Sequence, residues 1–266
     1  MNGARTVPMP GTFRLVHLDS VDSTNAEALR LAAGGERGPL WILADRQTGG
    51  RGRHGRPWLS EAGNFYGTLL LTVPADTPQV ANLSFVAAIA LYDAAEQVLG
   101  EAAASHLRLK WPNDLLVSGA KTSGILLESQ ALEAGELAIA AGIGVNLAHA
   151  PEVAARYSAT CLSAYGARIS PRAFLDLLAS AFADWFDRWD MGRNFAVIRE
   201  AWCGAGPGHW RAGCRASGGQ GVCGNIRGAR CRWCTGVASC RWIAAEDTRR
   251  RCLFQVMDWF GKDSAI

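Results

Sequence analysis

The sequence predicts an α+β fold in which helices flank a mixed, mainly antiparallel sheet. Helical and strand patterns follow one another in mixed order, without the strict alternation that predicts a parallel sheet. With 266 residues, of which 49% are hydrophobic, the chain can build one sizeable core and a small second domain. It shows no internal repeat, no secretory signal in residues 1–13 and no run long and apolar enough for a membrane span. We therefore expect a globular protein that is not bound to a membrane.

The first half of the chain predicts three strands and two helices. Apolar runs and alternation predict strands over residues 13–17, 40–45 and 64–73, the last closed by Pro74. Thr24 and Glu27 form a capping box that predicts the start of a helix, which the glycines at 34 and 35 end. A second helix, over residues 82–99, is predicted by the 3.6-residue spacing of Leu83, Val86, Ala90 and Ala94.

The second half predicts four more strands and one helix. The strands cover residues 107–110, 115–117, 124–128 and 136–147. Ser118 and Gly119 predict a tight turn before the third of these strands. A helix over residues 171–189 begins with Pro171 and carries an apolar face formed by Phe174, Leu177, Leu178, Ala181 and Trp185.

The arginine loop, residues 49–58, reads Gly-Gly-Arg-Gly-Arg-His-Gly-Arg-Pro-Trp. Glycine lets a backbone approach a ligand closely, and guanidinium groups bind phosphate or carboxylate oxygens with paired hydrogen bonds. The glycines also match the dinucleotide fingerprint G-x-G-x-x-G, but the helix that this fingerprint requires does not follow. The loop therefore predicts an anion site and does not favour a dehydrogenase.

A second motif, Lys-Trp-Pro-Asn-Asp at residues 110–114, directly follows a predicted strand. The proline ends the strand, so that the next two residues can project into a cleft. Lys121 lies at the far side of the short hairpin, and on an adjacent antiparallel strand its amine would converge with that of Lys110. Taken alone, each piece is also typical of a solvated lysine or an ordinary turn.

Six motifs occur in order along the chain. They are Ser23-Thr24-Asn25, Gln47, the arginine loop, Lys-Trp-Pro-Asn-Asp, Lys-Thr-Ser-Gly-Ile-Leu-Leu-Glu at residues 121–128, and Gly-Ile-Gly-Val-Asn-Leu at residues 142–147. The series closely resembles the catalytic domain of biotin protein ligases over about residues 13–200, which implies the class II aminoacyl-tRNA synthetase-like fold of that family. The family joins biotin to ATP as biotinyl-5′-adenylate, releases pyrophosphate, and passes the biotinyl group to a lysine of a carboxylase carrier domain.

The resemblance implies roles for individual residues. Biotin binding is expected of Ser23, Thr24, Asn25, Gln47, Arg51, Gly52, Arg53 and Lys121. Contacts to the nucleotide and the adenylate are expected of Arg51, Arg53, Arg56, Trp58, Lys110, Asn113 and Asn146. Catalysis is expected of Lys121, Arg53, Lys110 and Asp114, with Lys121 at the biotin carboxylate and the phosphate and Asp114 orienting the carrier lysine. Mg²⁺ is expected with the phosphates, although no residue cluster forms a dedicated metal site. His54 stands where many relatives have another basic residue.

Composition divides the chain in two. Residues 1–200 hold one cysteine, Cys161, and 17 Lys+Arg against 20 Asp+Glu, a net of −3. Residues 201–266 hold seven cysteines and 10 Lys+Arg against 4 Asp+Glu, a net of +6. We therefore expect a catalytic domain at residues 1–202 and an atypical Cys/Trp/Arg-rich tail at residues 203–266, where the resemblance implies a small β-barrel.

Three explanations of the tail are open. Cys231 and Cys234 form a C-x-x-C pair that could bind zinc with Cys223 and Cys240, but the outer spacings are irregular. A disulfide-stapled tail conflicts with a cytoplasmic protein. We favour a shifted reading frame, which yields a segment never selected for folding, and we expect such a tail to weaken the activity.

The remaining expectations concern setting and alternatives. The near absence of cysteine from residues 1–200 predicts the reducing cytoplasm. The few residues before Phe13 leave no room for a DNA-binding helix-turn-helix, and the net charge of −3 gives no basic footprint, so nucleic acid is not expected as a partner. The resemblance is therefore to the single-function type of ligase, acting as a monomer or homodimer. The alternatives are a lipoate or octanoate ligase of the same fold, and a biotin-binding protein impaired by its tail.

Overall fold

The computed structural model describes residues 5–8, 13–151, 158–205, 216–217 and 220–221, with side chains in 13–151 and 158–205. The chain divides into two compact units, Met1–Ala205 and Gly206–Ile266. In the second unit the described residues are two short paired strands, Ala216–Ser217 and Gln220–Gly221. The zinc, disulfide and reading-frame interpretations of the tail lie outside the described residues.

The first unit is built on a mixed sheet of eight strands. They are β1 (Arg5–Pro8), β2 (Arg14–Leu18), β3 (Leu40–Ala44), β4 (Phe65–Pro74), β5 (Leu107–Lys110), β6 (Asp114–Val117), β7 (Ala120–Ala131) and β8 (Glu136–Val145). Their order in the sheet is β1-β2-β3-β4-β8-β7-β6-β5. Only the β2–β3 pair among them is parallel. The predicted mixed, mainly antiparallel sheet is confirmed, and β1 is a strand that the sequence pattern did not predict.

Five helices accompany the sheet. They are α1 (Thr24–Ala33), α2 (Leu83–Val98), α3 (Glu101–Ala104), α4 (Pro171–Trp189) and α5 (Phe195–Ala205). The three predicted helices are confirmed, whereas α3 and α5 were not predicted. Among the described residues, no helix is long and apolar enough to cross a membrane.

Successive strand residues point to opposite faces of the sheet and divide the core into two clusters. On one face, Trp41 and Leu43 join the large cluster that contains the buried sides of α2 and α4. On the other face, Leu40 and Ile42 pack with the buried alanines of α1 in a much smaller cluster. The face that carries α1 is therefore thinly covered, and it holds the polar site described below.

Two turns show how local chemistry places the elements. Ser118 and Gly119 both have positive φ, 50° and 80°, as the predicted tight turn between β6 and β7 requires. The predicted capping box at the start of α1 is wrong by one residue. The N-cap is Ser23, whose hydroxyl accepts from the amide of Ala26 at 3.5 Å, because the side chain of Thr24 is engaged by the sheet instead.

Candidate active site

A strip of three glycines opens the thinly covered face of the sheet. Gly124 on β7 pairs with Gly144 on β8, and Gly142 lies two residues before Gly144 on the same face. A Cβ on Gly142 would overlap Asn25 Oδ1 and lie 2.8 Å from Asn25 Cγ, and one on Gly144 would lie 2.6 Å from the indole of Trp58. The glycine strip, as we call these three residues, thus makes the room that Asn25 and Trp58 occupy.

The start of α1 supplies a buried polar cluster beside this strip. Ser23, Thr24 and Asn25 are 4–6% exposed. The amide of Thr24 donates to Gln47 Oε1 at 2.9 Å, and the hydroxyl oxygen of Thr24 lies 3.1 Å from the same atom. Gln47 Nε2 donates to the hydroxyl of Ser60 at 3.0 Å, which in turn donates to the carbonyl of Trp58. The structure therefore brings together all four residues predicted for the polar end of the biotin pocket.

An ion pair anchors the beginning of α1. Asp22 accepts from the amide of Ser23 at 2.7 Å and from Arg30, about two helical turns further on, at 2.6 and 2.9 Å. The hydrogen bonds from Arg30 lower the pKa of Asp22 to about 2. Asp22 is thus ionised at neutral pH and holds the backbone that leads into the pocket.

The arginine loop is a narrow hairpin folded toward β7. The amide of Gly52 donates to the carbonyl of Arg56 at 2.7 Å, and the amide of Trp58 donates to the carbonyl of Gly50 at 2.9 Å. At its tip, residues 53–55 form one turn of 3₁₀ helix in which His54 has a φ of 59°. The tip, including His54 and Arg56, is exposed to solvent.

Two arginines connect this loop to the sheet. Arg51 forms an ion pair with Glu128 on β7, with 3.5 Å between Nη2 and Oε1. Arg53 Nη1 donates to Asn113 Oδ1 at 3.4 Å. Asn113 itself is held by two bonds to the backbone of Ile125, one donated by its side chain and one accepted by its carbonyl. The two contacts place guanidinium groups near both ends of the glycine strip.

Lys121 lies beside the glycine strip and is held by Asp114. Lys121 Nζ is 2.6 Å from Asp114 Oδ1 and 5.5 Å from the centre of the Trp58 ring, where an ammonium group is attracted by the ring face. The backbone of Lys121 is fixed as well, since its amide donates to Ser158 and its carbonyl accepts from Thr160. A cation and a carboxylate are therefore placed together next to the pocket.

The prediction that Lys110 and Lys121 lie on adjacent strands is wrong, whereas the convergence of their amines on one site stays a prediction. Lys110 is on β5 and Lys121 is on β7, and β6 lies between them. In the register of the sheet, Lys110 is opposite Asp114, which is opposite Gly124. The sequence could not show this, because the motif Lys-Trp-Pro-Asn-Asp is itself the turn from β5 to β6 and adds a strand between the two lysines.

Asn146 is placed at the end of β8, with 4% of its surface exposed. Its side-chain amide donates to the carbonyl of Thr160 at 3.0 Å, and its own carbonyl accepts from the amide of Leu162. It thereby holds the segment that fixes Lys121. Its role toward the nucleotide stays a prediction.

Asn64, which the sequence analysis did not single out, fastens the exit of the arginine loop to the exit of β8. Its side-chain carbonyl accepts from the amides of Leu147, Ala148 and His149 at 2.9–3.3 Å, and its amide donates to the carbonyl of His149. Next to it, burial raises the pKa of Tyr66 to about 12, so that its hydroxyl stays protonated and donates to the carbonyl of Glu61. These bonds make the base of the loop rigid.

Thr68 and Glu128 were also missed as members of the site. Thr68 Oγ1 lies 2.8 Å from Thr24 Oγ1 and 2.7 Å from Asn25 Oδ1, and Asn25 Nδ2 donates to Glu128 Oε2 at 2.8 Å. Thr68 could have been noticed as a polar residue within a strand that is otherwise largely apolar. Glu128 ends a motif that was recognised, but nothing in the motif shows that its side chain reaches α1.

The side chains around the glycine strip offer few ligands for a metal ion. The described residues contain no group of three or more His, Cys, Asp or Glu side chains arranged to hold a metal ion. Two carboxylates approach the strip, Asp114 and Glu128, and each is engaged by a cation. The arrangement fits an anionic ligand that brings its own metal ion better than a cation bound by the protein alone.

Comparison with known proteins shows which proteins the chain resembles. Residues 18–146 match the model of the biotin/lipoate A/B protein ligase family. A biotin--[acetyl-CoA-carboxylase] ligase of Paracoccus denitrificans is 50% identical over 190 residues, which cover 70% of this chain and 78% of that protein.

Two solved structures share the fold. A biotin protein ligase from Leishmania major in complex with biotin has a TM-score of 0.61 and 27% identity, over 79% of this chain and 87% of that one. A biotin protein ligase from Aquifex aeolicus in complex with biotin and ATP has a TM-score of 0.59 and 29% identity, over 72% of this chain and 78% of that one. Together with the polar pocket, the arginine loop and the Lys121–Asp114 pair, these similarities show that the chain belongs to the biotin/lipoate A/B protein ligase family.

Proposed function

We propose that this protein is an ATP-dependent biotin protein ligase that forms biotinyl-5′-adenylate and transfers the biotinyl group to a lysine of a biotin carboxyl carrier domain. The observation that carries the proposal is the glycine strip, which has a buried polar cluster at one end and a lysine–carboxylate pair at the other. A ligand lying along the strip would have its polar head at Ser23, Thr24, Asn25 and Gln47 and its carboxylate toward Lys121.

The first step joins two anions. A carboxylate oxygen of biotin attacks the α-phosphorus of ATP, the bond from that phosphorus to the bridging oxygen breaks, and pyrophosphate leaves. Positive charge fixed in advance at the reacting oxygens lowers the barrier to such a step. We assign that charge to Lys121, whose ammonium Asp114 holds in place, and to Arg51 and Arg53 of the arginine loop.

The second step forms an amide. The amine of the carrier lysine attacks the carbonyl carbon of the adenylate, the bond from that carbon to the phosphate oxygen breaks, AMP leaves with the bonding electrons, and the proton lost by the amine passes to water. Asp114 is placed to orient the incoming amine, because it is the carboxylate next to Lys121. Trp58 and the backbone of the arginine loop cover the strip and keep water from the adenylate.

Nucleotide contacts complete the proposal. Arg56, Lys110, Asn113 and Asn146 are assigned to the ATP side of the site, and Gly52 to the loop backbone that closes over biotin. Mg²⁺ would be brought by the phosphates of ATP and, when bound, would neutralise part of their charge. Because a dedicated cage for Mg²⁺ is uncommon and substrate phosphates often supply its ligands, the small number of carboxylates near the strip is compatible with this role.

The head of the pocket favours biotin over lipoate or octanoate. Thr24, Gln47 and Ser60 pair with one another but keep further lone pairs, and a ligand without N–H groups would remove water from these lone pairs without replacing it. A fatty chain would offer nothing to Thr24 or Gln47. Substrates for transfer are accordingly biotin first, with lipoate and octanoate as poor competitors.

The setting of the enzyme follows from composition. With one cysteine in residues 1–200, we assign it to the cytoplasm, and with a net charge of −3 in that part we assign it no nucleic-acid partner. It acts as a monomer or homodimer. The catalytic domain is assigned to residues 1–202 and the atypical tail to residues 203–266.

The test is transfer of biotin to a purified biotin carboxyl carrier domain by the full-length chain, with pyrophosphate release followed in parallel. A carrier domain with its acceptor lysine changed to arginine is the control. ATP-dependent transfer to the unchanged carrier supports the proposal. Biotin binding without either signal would identify an impaired binding protein instead, and preferential transfer of lipoate or octanoate would identify the other ligase type.

A further inference from the structure

The side chain of Asn25 is held by the backbone of β7, by the fully buried Thr68 and by the partly exposed Glu128. Its amide nitrogen donates to the carbonyl of Leu126 at 3.1 Å and to Glu128 Oε2 at 2.8 Å. Its oxygen lies 2.7 Å from Thr68 Oγ1, and Thr68 is fully buried. Both polar atoms of the Asn25 side chain therefore have hydrogen-bond partners within the protein.

These contacts define which group donates. A carbonyl and a carboxylate only accept, so the two amide hydrogens of Asn25 must point at Leu126 and Glu128, and its oxygen must face Thr68. A threonine hydroxyl has one proton, and this oxygen takes it. Thr68 Oγ1 is then an acceptor in its 2.8 Å contact with Thr24 Oγ1.

The direction of the Thr68 hydroxyl also fixes the direction of the Thr24 hydroxyl. Because the 2.8 Å contact needs a proton and that of Thr68 is used, the hydroxyl of Thr24 donates to Thr68 Oγ1, while Gln47 Oε1 keeps its bond from the amide of Thr24. The oxygen of Thr24 then presents lone pairs to the pocket. Thr24 and Asn25 thus offer acceptors, which match the two N–H groups of a cyclic urea.

We propose that Thr68 and Glu128 are positioning residues, which fix the donors and acceptors at the head of the pocket by orienting Asn25 and Thr24. The inference rests on the proposed function, because it takes the cyclic urea of biotin as the ligand at this end. Thr68 is fully buried and acts only through these two side chains, and Glu128 acts on the pocket head through Asn25. Without the proton of Thr68, Asn25 Oδ1 is a buried acceptor without a donor and the hydroxyl of Thr24 loses its defined direction.

The test is titration of the full-length chain with biotin alone, followed by transfer kinetics. We expect Thr68→Val, which keeps the shape and removes the hydroxyl, to weaken biotin binding about 10-fold, equivalent to about 1.4 kcal/mol. Thr68→Ser, which restores the hydroxyl, should stay within about threefold of the unchanged protein. The KM for biotin should rise with Thr68→Val while kcat at saturating biotin stays nearly constant, because the reacting groups lie at the other end of the strip.

Thr72→Val is the matched control. Thr72 lies four residues further on the same face of β4, and its hydroxyl is buried without a hydrogen-bond partner in the described part of the chain. Removing that hydroxyl should leave biotin binding unchanged. A general effect of valine in this strand would weaken binding in both variants and would overturn the inference.

Glu128 gives a second arm that does not depend on the folding of Thr68→Val, and because Glu128 also pairs with Arg51, the loss counts for the inference only where it exceeds that of Arg51→Ala. Glu128→Leu removes the acceptor and should weaken binding about 10-fold, whereas Glu128→Gln keeps an acceptor oxygen and should lose less than about threefold. If Thr68→Val and Glu128→Leu bind biotin like the unchanged chain, the inference is wrong although the proposed function stands. If the unchanged chain does not bind biotin, the proposed function fails and the inference fails with it.

Discussion

Gly142→Ala is the change that most directly tests the glycine strip. The new methyl group would overlap Asn25 Oδ1 and lie 2.8 Å from Asn25 Cγ and 3.0 Å from Nδ2. Since real Cβ contacts essentially never fall below 3.0 Å, Asn25 must turn away. The backbone of β8 cannot move instead, because Gly142 is paired with Thr68 on one side and Leu126 on the other.

The magnitude follows from the bonds that Asn25 would lose. Its side chain makes three hydrogen bonds, to Leu126, Glu128 and Thr68. At about 0.5–1.5 kcal/mol each, their loss lowers the free energy of unfolding by about 2–4 kcal/mol. For a domain of this size the melting temperature should fall by about 5–15 °C. Biotin affinity should fall at least about 10-fold, because Asn25 then stands in the pocket in another orientation.

Gly124→Ala is the comparison within the same strip. A Cβ there would lie 3.3 Å from Lys121 Nζ and from Trp58 Cζ3, both near the ends of movable side chains. We expect a cost below about 1 kcal/mol. Thermal unfolding and biotin titration of both variants decide the matter. If Gly142→Ala matches Gly124→Ala in melting temperature and in affinity, Asn25 is not fixed as described, and the reasoning about the strip is refuted.

Three further predictions concern other parts of the first unit. Lys121→Met should lower pyrophosphate release at saturating substrates about 100-fold or more, while Cys161→Ser stays within about twofold; equal rates for both would remove Lys121 from the site. Asn64→Ala removes the acceptor for three backbone amides and should cost about 2–4 kcal/mol in urea unfolding; a loss below about 0.5 kcal/mol would show that water replaces the side chain. Asp93→Asn should raise the melting temperature at pH 7, because burial raises the pKa of Asp93 above its ordinary 3.8 and the asparagine still accepts from Trp185. A carboxyl group with a raised folded pKa stabilises the fold below its unfolded value and loses that contribution as pH rises, so the gain should disappear near pH 3, and a gain that persists there would contradict this account.

The elements whose bounds the sequence predicted most closely are those with a long apolar run or a regular spacing of apolar residues. Strands β3, β4 and β8 and helices α2 and α4 each bury a regular set of apolar residues, and their bounds were predicted to within about two residues. Helix α5 was missed although Ile198, Trp202 and Ala205 are buried at helical spacing. Its last residues fall where the composition changes, and this change obscured the pattern.

Pairing was harder to predict than the elements themselves. The parallel contact of β2 with β3 depends on α1 returning the chain to the same end of the sheet, which no local pattern shows. For the same reason the positions of Lys110 and Lys121 were predicted on neighbouring strands. The order of strands is a property of the whole sheet, and a motif fixes only its own few residues.

Site residues with charged side chains could be predicted from the sequence. Residues that only orient another side chain of the site could not. Arginines between glycines and the Lys-Trp-Pro-Asn-Asp motif are recognisable because their chemistry is unusual for a loop. Thr68 stands out in sequence only as a polar residue in an apolar strand, as Thr72 does, and its distances to Thr24 and Asn25 distinguish the two. The N-cap of α1 could not be predicted for the same reason. Ser23 and Thr24 are both suitable capping residues, and Ser23 is the N-cap because the side chain of Thr24 contacts the sheet.

One face of the sheet contributes mainly to stability, and the other carries the binding site. Glycine in a strand weakens it, and the strip places three glycines on neighbouring central strands. The opposite face compensates, because there the same strands contribute residues such as Ile139 and Ala141 to the large core under α2 and α4. Because side chains alternate along a strand, one residue of β8 faces the core and its immediate neighbour faces the binding site. A substitution at Ala141 should therefore change the melting temperature and leave biotin affinity alone, whereas one at Gly144, where a methyl group meets Trp58, should act first on the affinity.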